Sequence, residues 1–343
     1  MIILYTLAML VCFVLLARIV DLFFISSLDK ISSDLRLSSD AAGATLMAVG
    51  SSAPELFVAL FAVFKPGEHQ MIGIGSIVGS AIFNLLVIVG AAALVRKTKL
   101  TWQPIFRDLM FYTISVGLLV WFILDGNFTL TEAGIFLGIY VIYVIAVIYW
   151  KKVLPYPERE YDIREPEVEG KKSIVGVFDR LLTLIFPQKN RYYQVFFFSI
   201  VLIAGLSWAL VELAVVISVA LNIPESIIAL TVLAVGTSIP DLFSSMIVAK
   251  QGRGEMAVSN AVGSNIFDIL VGLGLPLLIF MLIHGGAIDA GGSNLTNSTI
   301  ILFASVILLS LLLIFSKWKI GKAAGVILIG LYIFYVVVEI ILL

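Results

Sequence analysis

The chain has 343 residues, 61% of them hydrophobic and only 13% charged, with a mean hydropathy of +1.10. Soluble domains carry about a quarter charged residues, so a soluble globular fold is excluded. A net charge of −1 without a basic tract argues against nucleic acid as a partner. His69, His284 and Cys12 are too few for a histidine- or cysteine-built metal site or an intrachain disulfide.

Apolar runs of about 20 residues read as membrane-spanning helices. In chain order they predict ten spans: 2–26, 37–64, 70–95, 104–124, 131–150, 193–221, 225–249, 255–283, 298–316 and 321–342. The first has no basic stretch before it, unlike a signal peptide, and is expected to be retained. Lipid offers no partner to unpaired backbone groups, so every span must be helical. The expected fold class is an all-α membrane protein with ten transmembrane helices.

With ten spans, 20 of the 22 Lys and Arg fall at one end of the molecule, 9 of them in the 151–191 loop. Lys65 falls at the other end, and Arg18 lies inside the first span, near enough to its end to snorkel. The positive-inside rule makes the basic end cytoplasmic and both termini extracellular. The expected localisation is a multi-pass protein of the cell membrane, with the 151–191 loop cytoplasmic.

Residues 151–192 separate a first half, 1–150, from a second, 193–343. This linker is mixed in charge, contains Pro155, Pro157 and Pro166, and is too short for a domain. Its stretch 174–187 reads either as an interfacial amphipathic helix or as plain linker. Each half crosses the membrane five times, and an odd number of crossings makes the halves face opposite ways. They also share motifs. GSSAPELF at 50–57 returns as GTSIPDLF at 236–243, and GSAIFN at 79–84 returns as GSNIFD at 263–268. Two inverted-topology five-helix repeats are a transporter architecture with the site near the midplane. A G/S/P-rich patch can also be a packing or kink site, but here both copies carry a carboxylate.

Glu55, Asp241 and Asp268 each lie more than about eight residues from a predicted helix end, where a bare carboxylate is costly and marks an ion pathway. The spans that carry them contain no Lys or Arg in their interiors, so the expected counter-charge is a bound cation or a proton. Pro54 and Pro240 cannot donate to the carbonyls of Gly50 and Gly236. Unwinding at those glycines is expected to expose carbonyl oxygen beside Ser51, Ser52, Thr237 and Ser238. Ser51 with Glu55, Thr237 with Asp241, Ser80 with Asn84, and Ser264 with Asp268 are each four apart and share a helix face. All these ligands are oxygen, which suits hard cations such as Ca²⁺. Gly73, Gly75, Gly79, Gly263, Gly272 and Gly274 are expected to serve close helix packing. Glu212 is a weaker candidate, and Asp21, Glu225 and Glu339 are expected to meet solvent or headgroups near span ends.

These stretches resemble the α1 and α2 repeats of the cation/Ca²⁺ antiporters, specifically the Na⁺/Ca²⁺ exchangers, over residues 44–90 and 230–275. The resemblance implies a secondary antiporter exchanging Na⁺ for Ca²⁺ by alternating access. It implies Glu55 and Asp241 as the Ca²⁺ acids, with Ser51, Ser52, Thr237, Ser238, Ser80, Ser264, Asn84 and Asp268 completing the ion sites. The carbonyls of Ala48 and Ala234 match the family's backbone ligands. Asp241 and Asp268 together resemble the K⁺-dependent branch, so K⁺ dependence stays open, as does a Ca²⁺/H⁺ antiporter. The partners expected are Na⁺, Ca²⁺ and the lipid bilayer, with no resident cofactor and no protein partner indicated. No nucleophile–base pair suggests an enzyme. GIGSIVG at 73–79 imitates a phosphate-binding loop but lies in a span with no strand before it, so an ATP-driven pump is not expected. A passive cation channel lined by the same acids is the other class of reading.

Overall fold

The structure is a computed structural model and describes residues 1–35, 48–67, 69–156, 174–186, 191–289 and 292–341. The chain begins with α1 (Ile2–Asp34), followed by the short α2 (Ala48–Ser51) and α3 (Ala53–Phe64). Then come α4 (Gln70–Val95), α5 (Trp102–Asp125), α6 (Leu130–Val153) and α7 (Ile174–Ile185). The second half comprises α8 (Tyr192–Leu221), α9 (Glu225–Lys250), α10 (Gly254–His284), α11 (Ser293–Phe315) and α12 (Lys322–Ile341). Among the described residues, nine of these helices are long and apolar enough to cross a membrane, and α3 is a shorter apolar one. The predicted spans match them closely in position. Residues 37–47 of the second predicted span, and 157–173 of the linker, lie outside the described residues.

Local chemistry sets several helix ends. Thr129 and Glu132 form a reciprocal capping box at the start of α6, which satisfies donors that a helix start leaves unpaired. α5 stops where Gly126 turns left-handed, at φ 83°. Residues 174–185 of the linker are helical.

Two apolar clusters organise the bundle. One runs through α4, α5, α6, α10, α11 and α12. The other joins α1, α7 and α8. The site-bearing helices α3 and α9 contribute to both: Val58 and Ala62 face the second cluster while Ala59 and Val63 face the first. Two short antiparallel ladders tie turns of one half to turns of the other. β1 (Thr98–Lys99) pairs with β4 (Lys319–Ile320) at the basic end, and β2 (Asn127–Phe128) pairs with β3 (Ile288–Asp289) at the opposite end.

Three charged residues sit differently from expectation. Arg18 does not snorkel; its guanidinium makes two 2.7 Å contacts with Asp179 of α7. Arg107, assigned from sequence to the basic end, is inside α5 and fully buried, 2.8 Å from Asp108, which also accepts from Tyr143. Glu339 meets neither solvent nor headgroups. It is 1% exposed and accepts from Ser298 at 2.5 Å. Glu212 binds Lys65, and Glu225 binds His69, both at the lysine-poor end.

Candidate cation site

The two motif pairs meet between the halves. α3 packs against α4, and α9 packs against α10 and α4. The close approach has a steric basis. A Cβ on Gly79 would lie 2.3 Å from the carbonyl oxygen of Leu230, and one on Gly236 would lie 2.2 Å from the Phe13 ring. Only glycine lets α4 touch the α9 backbone at Gly79, and Gly236 leaves the room that the Phe13 ring of α1 occupies. Gly73, Gly75, Gly272 and Gly274 are also close-packed as expected. For Gly263, no described atom lies within 4 Å of a Cβ placed there.

Hydroxyls bridge the halves. Ser51 Oγ lies 2.8 Å from Ser264 Oγ, and Ser80 Oγ lies 2.8 Å from Ser238 Oγ. Ser52 Oγ reaches the Ser264 carbonyl at 3.5 Å. Thr237 and Ser80 face the Glu55 carboxylate, and Ser52 faces Asp268. Glu55, Asp241 and Asp268 lie within electrostatic reach of one another. Glu55 and Asp268 are buried, whereas Asp241 is half-buried. Asp21 of α1, left at a span end by the sequence, also lies within electrostatic reach of Asp241.

The backbone opens in the first motif only. The helix breaks at Ser52, where φ is −93° and ψ is 3°, between α2 and α3. Pro54 then falls in the first turn of α3, where its missing N–H costs nothing. In the second motif α9 runs through Pro240 without a break, so the expected unwinding at Gly236 does not occur. α9 instead carries a π-helical turn just before the motif, Ala229–Leu233. The carbonyls of Ala48 and Ala234 occupy matching places. Ser51 donates to the first at 3.3 Å, and Thr237 Oγ1 lies 3.4 Å from the second.

Two features escaped the sequence reading. Asn84 and Asp268 each begin a π-helical turn, Asn84–Ile88 and Asp268–Leu273. Such turns concentrate at functional sites because they re-aim side chains and loosen the ladder of backbone bonds. The second feature is Asn265, fully buried. Its Oδ1 accepts from Asn84 Nδ2 at 3.0 Å, while its Nδ2 donates to the Ala81 carbonyl at 3.0 Å and to Tyr112 Oη at 2.8 Å. The signal was present as the Asn inside GSNIFD, where the first copy has Ala81.

Among the described residues, Glu55 Oε2, Asn84 Oδ1 and Asp268 Oδ1 are buried with no hydrogen-bond partner. No three His, Cys, Asp or Glu side chains among the described residues converge into a compact metal cluster. The arrangement is therefore a distributed oxygen lining, in which hydroxyls and carbonyls separate the acids. An all-oxygen lining suits hard cations.

A comparison with protein families matches the profile described as "Sodium/calcium exchanger protein" over residues 5–149 and 191–341. The human sodium/potassium/calcium exchanger 5 is 33% identical, with 95% of this chain and 80% of the relative covered. The Gallus gallus sodium/potassium/calcium exchanger 2 is 29% identical, covering 99% of this chain and 77% of the relative. Among solved structures, the sodium-calcium exchanger NCX_Mj soaked with Na⁺ and Sr²⁺ superposes with a TM-score of 0.62 at 25% identity, covering 98% of this chain and 99% of that one. The H⁺/Ca²⁺ exchanger CAX gives a TM-score of 0.69 at 16% identity, covering 99% and 85%, a likeness of fold alone.

Proposed function

The chain belongs to the sodium/calcium exchanger protein family, and from that premise we propose that it is a secondary antiporter exchanging Na⁺ for Ca²⁺ across the membrane. The observation that carries this reading is the set of three buried, unpartnered oxygens of Glu55, Asn84 and Asp268. Acceptor oxygens left unpaired in a membrane interior are expensive, and a desolvated cation is the partner that suits all three. The ion lining comprises Glu55, Asp241, Asp268, Asn84, Ser51, Ser52, Thr237, Ser238, Ser80 and Ser264, with the carbonyls of Ala48 and Ala234.

Charge balance gives the exchange its logic. Three ionised acids hold a charge of −3, which three Na⁺ neutralise. One Ca²⁺ leaves −1, met by K⁺ or by a proton on Asp268. The two loads compete for one lining, so one must leave before the other binds. Differential affinity of the loads for two access states then drives the cycle. The membrane is the cell membrane. Both termini are extracellular and the 151–191 loop is cytoplasmic, on the strength of the basic residues gathered at one end.

A second reading has its own support. The K⁺-dependent variant rests on Asp268 and on the sodium/potassium/calcium exchangers among the relatives. Transport in proteoliposomes separates the readings. Ca²⁺ uptake appears when Na⁺ is loaded inside and removed outside, and is lost in Glu55→Gln and Asp241→Asn protein that still elutes as the folded species. Uptake indifferent to the Na⁺ gradient, or driven by a pH gradient instead, would overturn Na⁺ coupling.

A further inference from the structure

We propose that Ser76 is an additional cation ligand, a transit site one helical turn outside the main lining on the extracellular approach. The inference rests on the exchange reading above and extends it to a residue that neither the motifs nor the acids single out.

Ser76, Ser80 and Asn84 are spaced by four along α4 and share one face. Ser80 faces Glu55 and bonds to Ser238. Asn84 ends the column with an unpartnered Oδ1. Ser76 stands toward the lysine-poor end, about 6 Å along the axis from Ser80 at 1.5 Å per residue. It is fully buried, and its Oγ has no hydrogen-bond partner among the described residues.

That hydroxyl behaves unlike others in the bundle. A serine or threonine buried in a helix usually donates to the carbonyl four residues back. Ser115, Ser199, Thr299, Ser305 and Ser310 all do so, at 2.7–2.8 Å. Ser76 has the same option at Ile72 and does not take it. The backbone around it is also tightly held, with Gly73 against Ala59 of α3 and Gly75 against Ala229 of α9. A hydroxyl on a turn held against both site-bearing helices, and not bonded to its own helix, offers its oxygen to something that passes. The oxygen column it extends points to a small hard cation shedding water.

The second half repeats the arrangement. Asn260, Ser264 and Asp268 are spaced by four on α10, so the position matching Ser76 also carries an oxygen. Asn260 is half-buried and lies toward the basic end. Each column thus begins with a neutral oxygen ligand, one turn before the site, on its own side of the membrane.

The test uses the full chain in proteoliposomes of defined orientation, with Na⁺ and Ca²⁺ varied separately on each face. Ser76→Ala is expected to raise the half-saturating external concentration of both ions about five-fold, the loss of one hydrogen-bond-strength contact, and to leave internal values unchanged. Ser76→Thr keeps the hydroxyl and should retain the external values of the unsubstituted protein. External values unchanged in Ser76→Ala, or shifts of equal size on both faces, would overturn the proposal in favour of a packing role. Absence of Na⁺-dependent uptake in the unsubstituted protein would overturn the exchange reading instead, and the transit site with it.

Discussion

Asn265 holds the side-chain amide of Asn84 across the boundary between the two halves, Nδ2 to Oδ1 at 3.0 Å. This bond decides which end of the Asn84 amide faces the site. With the NH₂ group engaged by Asn265, the carbonyl oxygen is the end left for a cation. Tyr112, on α5, fixes Asn265 in turn. Asn265→Ala frees the amide to flip and should raise the half-saturating concentrations of Na⁺ and Ca²⁺ about ten-fold, with maximal rate less affected. Tyr112→Phe should move them in the same direction by less. Concentration dependence of uptake in proteoliposomes measures both.

Asp268 is where K⁺ dependence would be written. If K⁺ supplies the charge that one Ca²⁺ leaves unmet, uptake rises with added K⁺ and Asp268→Asn removes the stimulation while Na⁺-driven uptake persists. Paired assays with K⁺ replaced by choline read this directly. Equal uptake in both salts assigns the remaining charge to a proton on Asp268.

The Arg18–Asp179 pair fastens the linker helix to the first span. Asp179 is fully buried, and removing one partner of a buried pair typically costs about 3 kcal/mol because the other charge stays behind. Asp179→Ala should therefore lower the thermal stability of purified protein by several degrees. The double substitution Arg18→Met with Asp179→Leu should recover most of it. Detergent-solubilised protein followed by size exclusion after heating provides the comparison.

Gly79 lets α4 lie against the backbone of α9. Alanine at Gly79 meets the Leu230 backbone and must push α9 away from α4. Overpacking of this kind commonly costs about 1–3 kcal/mol. Gly79→Ala should reduce both folded yield and transport, and Gly134→Ala, at an exposed helical position with no described atom within 4 Å of a Cβ, should preserve both. Expression followed by fluorescence-detected size exclusion distinguishes them.

The span pattern was legible because lipid enforces it. Apolar length fixes each helix, and the loop charges fix the alternation. The motif residues were legible because carboxylate and proline are costly in such helices, so their presence twice over is informative. What the sequence hid depends on three-dimensional contact. The break at Ser52 and the unbroken passage through Pro240 follow nearly identical motifs, so neighbours, not local sequence, decide between them. Arg107 looked like an end residue because Tyr143, which donates to its neighbour Asp108 in the interior, reaches that pair only once α5 and α6 are packed together. Asn265 was passed over because nothing in GSNIFD says that its amide spans the two halves.

The π-helical turns at Asn84 and Asp268 bear on descent as well as chemistry. A π-turn is an α-helix with one residue too many, so each marks an insertion. Both fall at the same place in their halves, starting on the residue that closes GSAIFN or GSNIFD. The simplest history puts that insertion in a single ancestral half, before duplication made two. Deleting one residue just after Asn84 would then return α4 to regular geometry with everything beyond it on nearly its present face, because one π-turn absorbs the extra residue.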